Sequence, residues 1–138
     1  MMNITVSQHT GRVPVTVFHI TGDIDTNTYE RFQAQAQEAH AAGTRNLLLD
    51  LAEVRFVSSA GIRAINNIFN LLRTDAPGES DEAMRTGLRD GTFKSPHLKL
   101  LNPTPRVLEV LTLAGVDMFL EVHRDLKTAL DSFGGSAG

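Results

Sequence analysis

The feature that most constrains the fold is a short apolar run in the middle of the chain. Residues Arg45 to Leu51 contain three consecutive leucines, at positions 47 to 49. Because successive side chains of a strand point to opposite faces of the sheet, this run predicts a strand that is buried on both faces. It follows a predicted helix, so the connection is a crossover and the strand pairs in parallel. The segment therefore predicts an α/β fold with a mostly parallel sheet.

The other segments complete an order of β-β-α-β-α-β-α-β-α. Alternating or β-branched residues predict strands, and apolar residues at helical spacing predict helices. Besides Arg45 to Leu51, the predicted strands are Asn3 to Gln8, Val13 to Thr21, Leu98 to Leu101 and Met118 to Val122. The predicted helices run from about Thr26 to Gly43, from Ile62 to Leu72, from a start at Asn102-Pro103-Thr104-Pro105 to Ala114, and from Leu126 to Phe133. We expect Gly22-Asp23-Ile24-Asp25 to break the second strand. The sheet is then mixed, with four to five strands, about four helices and an antiparallel hairpin at its N-terminal edge.

The length of 138 residues fits one domain with one sizeable core. We expect this domain to span residues 1–133. Residues 74–96 are rich in Gly, Pro and charges of both signs, which predicts a long loop or insertion. The glycine-rich residues 134–138 predict a flexible tail.

Composition and charge exclude several classes of function. The net charge is -3 and the 13 basic residues are scattered, so a direct nucleic-acid surface is not expected. The absence of cysteine excludes disulfides and thiolate chemistry. No apolar run approaches the roughly 20 residues of a membrane helix, so no membrane insertion is expected. The N-terminus lacks an apolar signal core, which by elimination predicts a cytoplasmic protein.

A search for catalytic and cofactor motifs leaves one weak candidate. Neither a dinucleotide-binding glycine pattern nor a Walker motif is present. Asp23 and Asp25 are too few for a metal site, and we expect them to shape a loop and cap a helix. Ser59 has half of the glycine pattern of a hydrolase nucleophile, and no histidine spacing identifies a base for it. We therefore expect no enzyme activity, no cofactor and no metal, with a hydrolase that uses Ser59 as a remaining alternative.

Two segments of the chain are informative when taken together. The first is Gly22-Asp23-Ile24-Asp25, between a strand and a helix. The second is Leu49-Asp50-Leu51 through Phe56-Val57-Ser58-Ser59-Ala60-Gly61-Ile62-Arg63. Together they are similar to the STAS family, which includes anti-sigma factor antagonists and the tails of sulfate transporters. The helix after Asn102-Pro103, which ends in Leu-Ala-Gly, is also similar. The resemblance extends from Asn3 to Phe133, and residues 74–96 are longer than the usual connection.

The resemblance implies a bacterial partner-switching protein. An antagonist of this type binds an anti-sigma factor that is also a serine kinase. Phosphorylation at the head of the second helix releases the kinase, and a serine phosphatase resets the switch. Alignment on Gly61 places Ala60 where one common pattern of the family has the acceptor, so we expect Ser59 to be phosphorylated, with Ser58 second. The implied partner-binding residues are Asp25, Thr26, Asn27, Ala60, Gly61 and Arg63.

Besides the hydrolase, one alternative to the switch remains at this point. A STAS-like scaffold, or an accessory subunit of a transporter, would bind its partner constitutively and would never be phosphorylated. In either case, Ser58 and Ser59 would only cap the helix.

Overall fold

A computed structural model describes residues 2–73 and 95–133. Its strands are β1 (Asn3–Thr10), β2 (Pro14–Ile24), β3 (Leu47–Val57), β4 (Leu98–Leu101) and β5 (Val122–His123). Its α-helices are α1 (Tyr29–Ala41), α2 (Ser59–Arg73), α3 (Pro105–Leu113) and α4 (Leu126–Ser132). The predicted insertion at 74–96, except Ser95 and Pro96, and the predicted tail at 134–138 lie outside these residues.

The strands form one mixed sheet in the order β1-β2-β3-β4-β5. β1 and β2 are an antiparallel hairpin, and the three other pairings are parallel. The predicted α/β class, the mixed sheet and the antiparallel edge hairpin are therefore confirmed.

The leucine run is buried on both faces of the sheet, as the sequence predicts. Leu47 and Leu49 pack with α1, α2 and α3 in the larger core cluster. Leu48 points the other way and packs with Ala129 and Phe133 of the C-terminal segment in the smaller cluster. One strand therefore supplies both cores because its side chains alternate between the faces.

Three predicted boundaries are wrong. The Gly22-Asp23-Ile24 segment does not break β2, which continues to Ile24 and shifts its register against β3 between Gly22 and Asp23. β3 likewise runs on to Val57, because the extended part of β2 provides a ladder for it. The last strand is Val122–His123, whereas Val116–Met118 forms a short 3₁₀-helix after Gly115 at φ 80.

Candidate functional site

The candidate site lies where β2 and β3 end side by side. The two strands are parallel, and Ile24 is the register partner of Val57. Directly beyond that pair, the backbone N–H of Ser58 donates to the carbonyl of Ile24 at 2.9 Å. The chain then turns into α2, so the start of this helix adjoins the loop between β2 and α1. We call these two segments, residues 25–28 and 58–63, the rim.

Ser58 is the residue that caps α2. Its side-chain Oγ accepts from the backbone N–H of Gly61 at 3.3 Å, and its carbonyl accepts from the N–H of Ile62 at 2.9 Å. The side chain is half-buried. A serine in this position satisfies one of the free N–H groups of the first helical turn. The hydroxyl of Ser58 therefore already takes part in a hydrogen bond within the domain.

Ser59 is the first residue of α2 and is exposed. Within residues 2–73 and 95–133, its hydroxyl has no hydrogen-bond partner. The first turn of α2 contains no acidic residue, so the partial positive charge of the helix N-terminus is not offset there. The two neighbouring serines thus differ: one supports the helix, and the other presents its hydroxyl to solvent.

Gly61 allows α2 to approach the end of the sheet. A Cβ at this position would lie 2.5 Å from the carbonyl oxygen of Ile24 and 2.8 Å from Cγ1 of Val57. Both distances are too short for any side chain, so glycine is required for close approach. Ala60, next to it, is half-buried, and Arg63, two residues further along, is exposed. The predicted role of Gly61 in close approach is supported by this geometry.

The β2–α1 loop is held by a network around Asp25. Its Oδ1 accepts from the N–H of Asn27 at 2.9 Å, and its carbonyl accepts from Thr28 and Tyr29 at 3.1 and 2.9 Å. Thr28 Oγ1 in turn accepts from the N–H of Asp25 at 2.9 Å and donates to the carbonyl of Asp23 at 2.7 Å. Asp25 therefore shapes the loop, as expected, but the expected cap is wrong, because the N-cap residue of α1 is Thr28 and no side chain makes a cap hydrogen bond there.

Several charged and apolar side chains surround the rim. Thr26 and Asn27 are exposed at the loop tip. Arg55 Nε lies 3.6 Å from Oδ1 of Asp23, but the arginine is 76% exposed and an ion pair of this kind contributes little stability. Phe56 is 40% exposed directly before the buried Val57. The sequence analysis missed Phe56, and strand alternation would not have found it, because Arg55 and Phe56 are both exposed between the buried Val54 and Val57.

Comparison with known proteins identifies the family. The sequence model of the STAS domain family matches residues 4–76, which is more than half of the chain. The chain belongs to the STAS domain family. No curated protein matches the chain.

Solved structures agree with this STAS fold at low sequence identity. An anti-sigma factor antagonist from Mycobacterium paratuberculosis is 19% identical, with a TM-score of 0.70 over 96% of this chain and 94% of that one. The antagonist SpoIIAA in its unphosphorylated form is 17% identical, with a TM-score of 0.68 over 94% of each chain. The Bacillus cell fate determinant SpoIIAA in its phosphorylated form is 16% identical, with a TM-score of 0.62 over 94% of this chain and 97% of that one.

The histidines of this STAS domain have other neighbours than Ser59. His19 Nδ1 lies 2.8 Å from Oδ2 of Asp50, and its Nε2 lies 3.0 Å from Oγ of Ser7. Ser7 is also 3.0 Å from Nε2 of His9. This series connects β1, β2 and β3 on the sheet face that α4 covers in part.

The three remaining histidines are also distributed over other parts of the fold. His97 contacts Asn46 and His123 contacts Glu121, while His40 lies in the last turn of α1. A hydrolase that uses Ser59 therefore gains no support from the histidines.

Metal and membrane sites receive no support from the described residues. Within residues 2–73 and 95–133, no three His, Asp or Glu side chains are grouped as metal ligands. In the same residues, no helix combines the length and the apolar character that a membrane span requires.

Proposed function

We propose that this STAS domain is an anti-sigma factor antagonist controlled by phosphorylation of Ser59. The unphosphorylated protein binds an anti-sigma factor that is also a serine kinase, and phosphorylation releases that partner. The observation that carries the proposal is the exposed hydroxyl of Ser59 at the start of α2, beside a Ser58 that already caps the helix. The structural neighbours support it, since they are named as antagonists and SpoIIAA is named in both phosphorylation states.

The position of Ser59 suits a switch that changes binding without unfolding the domain. A phosphate adds about -1.5 to -2 charges at neutral pH. The free N–H groups and the dipole of the helix N-terminus stabilise a negative charge there. A protein surface packed against the same turn would have to desolvate the phosphate, so the complex would dissociate.

The rim is the surface that the kinase would contact. Its implied residues Asp25, Thr26, Asn27, Ala60, Gly61 and Arg63 belong to the two neighbouring segments of the rim. Phe56 adds an exposed aromatic side chain next to them, a residue type enriched at the centre of interfaces. In this role the domain is a non-catalytic cytoplasmic protein that needs no cofactor and does not contact nucleic acid directly. A serine phosphatase returns it to the binding state.

The proposal is tested with three variants of one residue. Ser59→Asp adds a charge, Ser59→Asn has the same size without the charge, and Ser59→Ala removes the hydroxyl. We expect the Asp variant to bind the cognate kinase at least about tenfold more weakly than the Asn variant, equal to about 1.4 kcal/mol. The Asn and Ala variants should bind like the wild type in isothermal titration calorimetry. Equal affinity of the Asp and Asn variants would contradict the switch.

Phosphorylation itself is measured with the same kinase, ATP and mass spectrometry. The wild type should gain one phosphate at Ser59, and Ser59→Ala should gain none. The second candidate function, a constitutive scaffold or transporter accessory subunit, is favoured by Ala60, which stands where one common pattern of the family has its acceptor. A wild-type protein that binds its partner but takes up no phosphate would support that candidate instead.

A further inference from the structure

The two edges of the sheet differ in length. β5 has only two residues, so one edge is short. β1 has eight residues, and within the described part of the chain it forms a ladder with β2 alone. A long edge strand presents a row of backbone N–H and C=O groups that can pair with another strand.

The composition of β1 lacks the features that normally prevent such pairing. Its sequence Asn-Ile-Thr-Val-Ser-Gln-His-Thr contains no Lys, Arg, Asp, Glu or Pro. Native edge strands are usually protected by charges, prolines, bulges or short length. β1 has none of these, and its ladder with β2 is continuous from Asn3 to Thr10. We propose that β1 is the interface of a homodimer, in which two copies pair their β1 strands antiparallel and form one continuous sheet.

The strand is complementary to a second copy of itself. A two-fold axis perpendicular to the sheet at Val6 places each Val6 opposite its equivalent. Thr5 then faces Ser7 of the second copy, and Ile4 faces Gln8. Directly opposite residues of an antiparallel pair point to the same face, and this register keeps the core side of both copies on one face. No like charges meet across the axis, because the strand has no Lys, Arg, Asp or Glu.

Val6 leaves apolar surface at the centre of this edge. Its side chain is 40% exposed, although it belongs to a strand of the core sheet. Val6 and Gln8 also line an open groove of about 680 Å³ whose other side includes Ala39 of α1 and Ala42 directly after it. A second β1 strand would lie beside Val6 and Gln8, and it would bury the exposed part of Val6.

The dimer would leave the rim free. Ser59 follows the carboxyl end of β3, whereas the axis passes through the middle of β1. Because the two β1 strands pair antiparallel, the carboxyl ends of the parallel strands point in opposite directions in the two copies. The inference is therefore independent of the proposed switch, and each test can fail without the other.

The register is tested by charge reversal at the axis. Wild type should sediment as a dimer in analytical ultracentrifugation. Val6→Lys and Val6→Glu should each lose the dimer, because like charges then face each other across the axis. An equimolar mixture of the two variants should recover it. Leu113→Lys is the control, because Leu113 is 82% exposed on α3, and it should remain dimeric.

Each other outcome overturns the proposal. A monomeric wild type at high concentration shows that the edge does not bind a second copy. A dimer that persists in both Val6 variants, or a mixture that stays monomeric, places any interface elsewhere. Circular dichroism should show native spectra for the separate variants, because Val6 is partly exposed.

A cysteine at the axis provides a second measurement that does not depend on affinity. The chain contains no cysteine, so Val6→Cys carries a single thiol. Opposite Cβ atoms in an antiparallel pair are about 4.5–5.5 Å apart, close to the range that a disulfide requires. Mild oxidation should convert Val6→Cys to a disulfide dimer and leave Leu113→Cys mostly monomeric. Equal cross-linking of the two variants would refute the β1 interface.

Discussion

At the scale of single residues, the two adjacent serines of the rim differ in their hydrogen bonding. Ser58 Oγ accepts from Gly61 N–H, whereas Ser59 Oγ has no partner among the described residues. The hydroxyl that caps the helix and the hydroxyl of the proposed phosphorylation are therefore two different groups. A protein in which the capping serine were also the phosphate acceptor would lose its cap bond at each phosphorylation, and phosphorylation of Ser59, as proposed, would avoid that loss.

Ser58→Ala should lower the free energy of unfolding by about 1 kcal/mol, because the first turn of α2 loses a capping acceptor. Ser59→Ala should change it by less than about 0.5 kcal/mol, because the side chain is exposed. Urea unfolding followed by circular dichroism measures both. Equal losses in the two variants would show that Ser58 is not the cap.

The sequence could place this turn, but it could not divide the roles of its serines. The serine turn that follows Phe56-Val57 and an amphipathic pattern that begins near Ile62 predict a helix start between them. Which serine caps depends on a shift of one residue in that start. The shift is set by the approach of Gly61 to Ile24, a tertiary contact that local propensity does not contain.

At the scale of elements, parallel pairing overrides local breaking signals. Gly22 and Asp23 predict the end of β2, but the register partners Asp23–Phe56 and Ile24–Val57 extend both β2 and β3. The last strand shows the opposite error, because the sequence predicts a strand over Met118 to Val122 and most of these residues form none. Gly115 at φ 80 instead starts a turn of 3₁₀-helix, and only Val122 and His123 pair with β4.

The cap of α4 should make stability depend on pH in a defined direction. Thr128 donates its N–H at 2.9 Å and its Oγ1 at 3.0 Å to Oδ2 of Asp125, and these bonds hold the pKa of that carboxyl below its ordinary value of 3.8. A depressed pKa in the folded state contributes stability above about pH 4, and this contribution is lost as the pH falls through the folded pKa.

Asp125→Asn keeps an oxygen acceptor but cannot carry the charge. The wild type should therefore be more stable than Asp125→Asn at neutral pH, and the difference should narrow as the pH falls below 3.8. Urea unfolding of both proteins at a series of pH values measures this difference. The other carboxylates contribute equally to the stability of both proteins, so their contributions cancel. A difference that stays constant down to the lowest pH would contradict the charged cap.

At the scale of the whole molecule, one sheet separates two cores of unequal size. The larger core lies under α1, α2 and α3. The smaller one lies under α4, and its fully buried aromatic residue is Phe133. Next to it, Lys99 Nζ is 5.1 Å from the ring centroid of Phe133 and 3.1 Å from Oε2 of Glu121. The leucine run predicts burial on both faces, but it does not indicate that, among the described residues, a single short helix packs on one of them.

Phe133→Ala should therefore cost about 3–5 kcal/mol, as expected for the loss of a buried phenylalanine. Leu113→Ala, the matched control at an 82% exposed position, should change stability by less than about 0.5 kcal/mol. Amide hydrogen exchange then shows which part of the fold loses stability. Because the smaller core is separated from the rim by the sheet, amides of α4 should lose protection while those at the start of α2 keep theirs. Equal loss of protection in α2 and α4 would show instead that the two cores unfold as one unit.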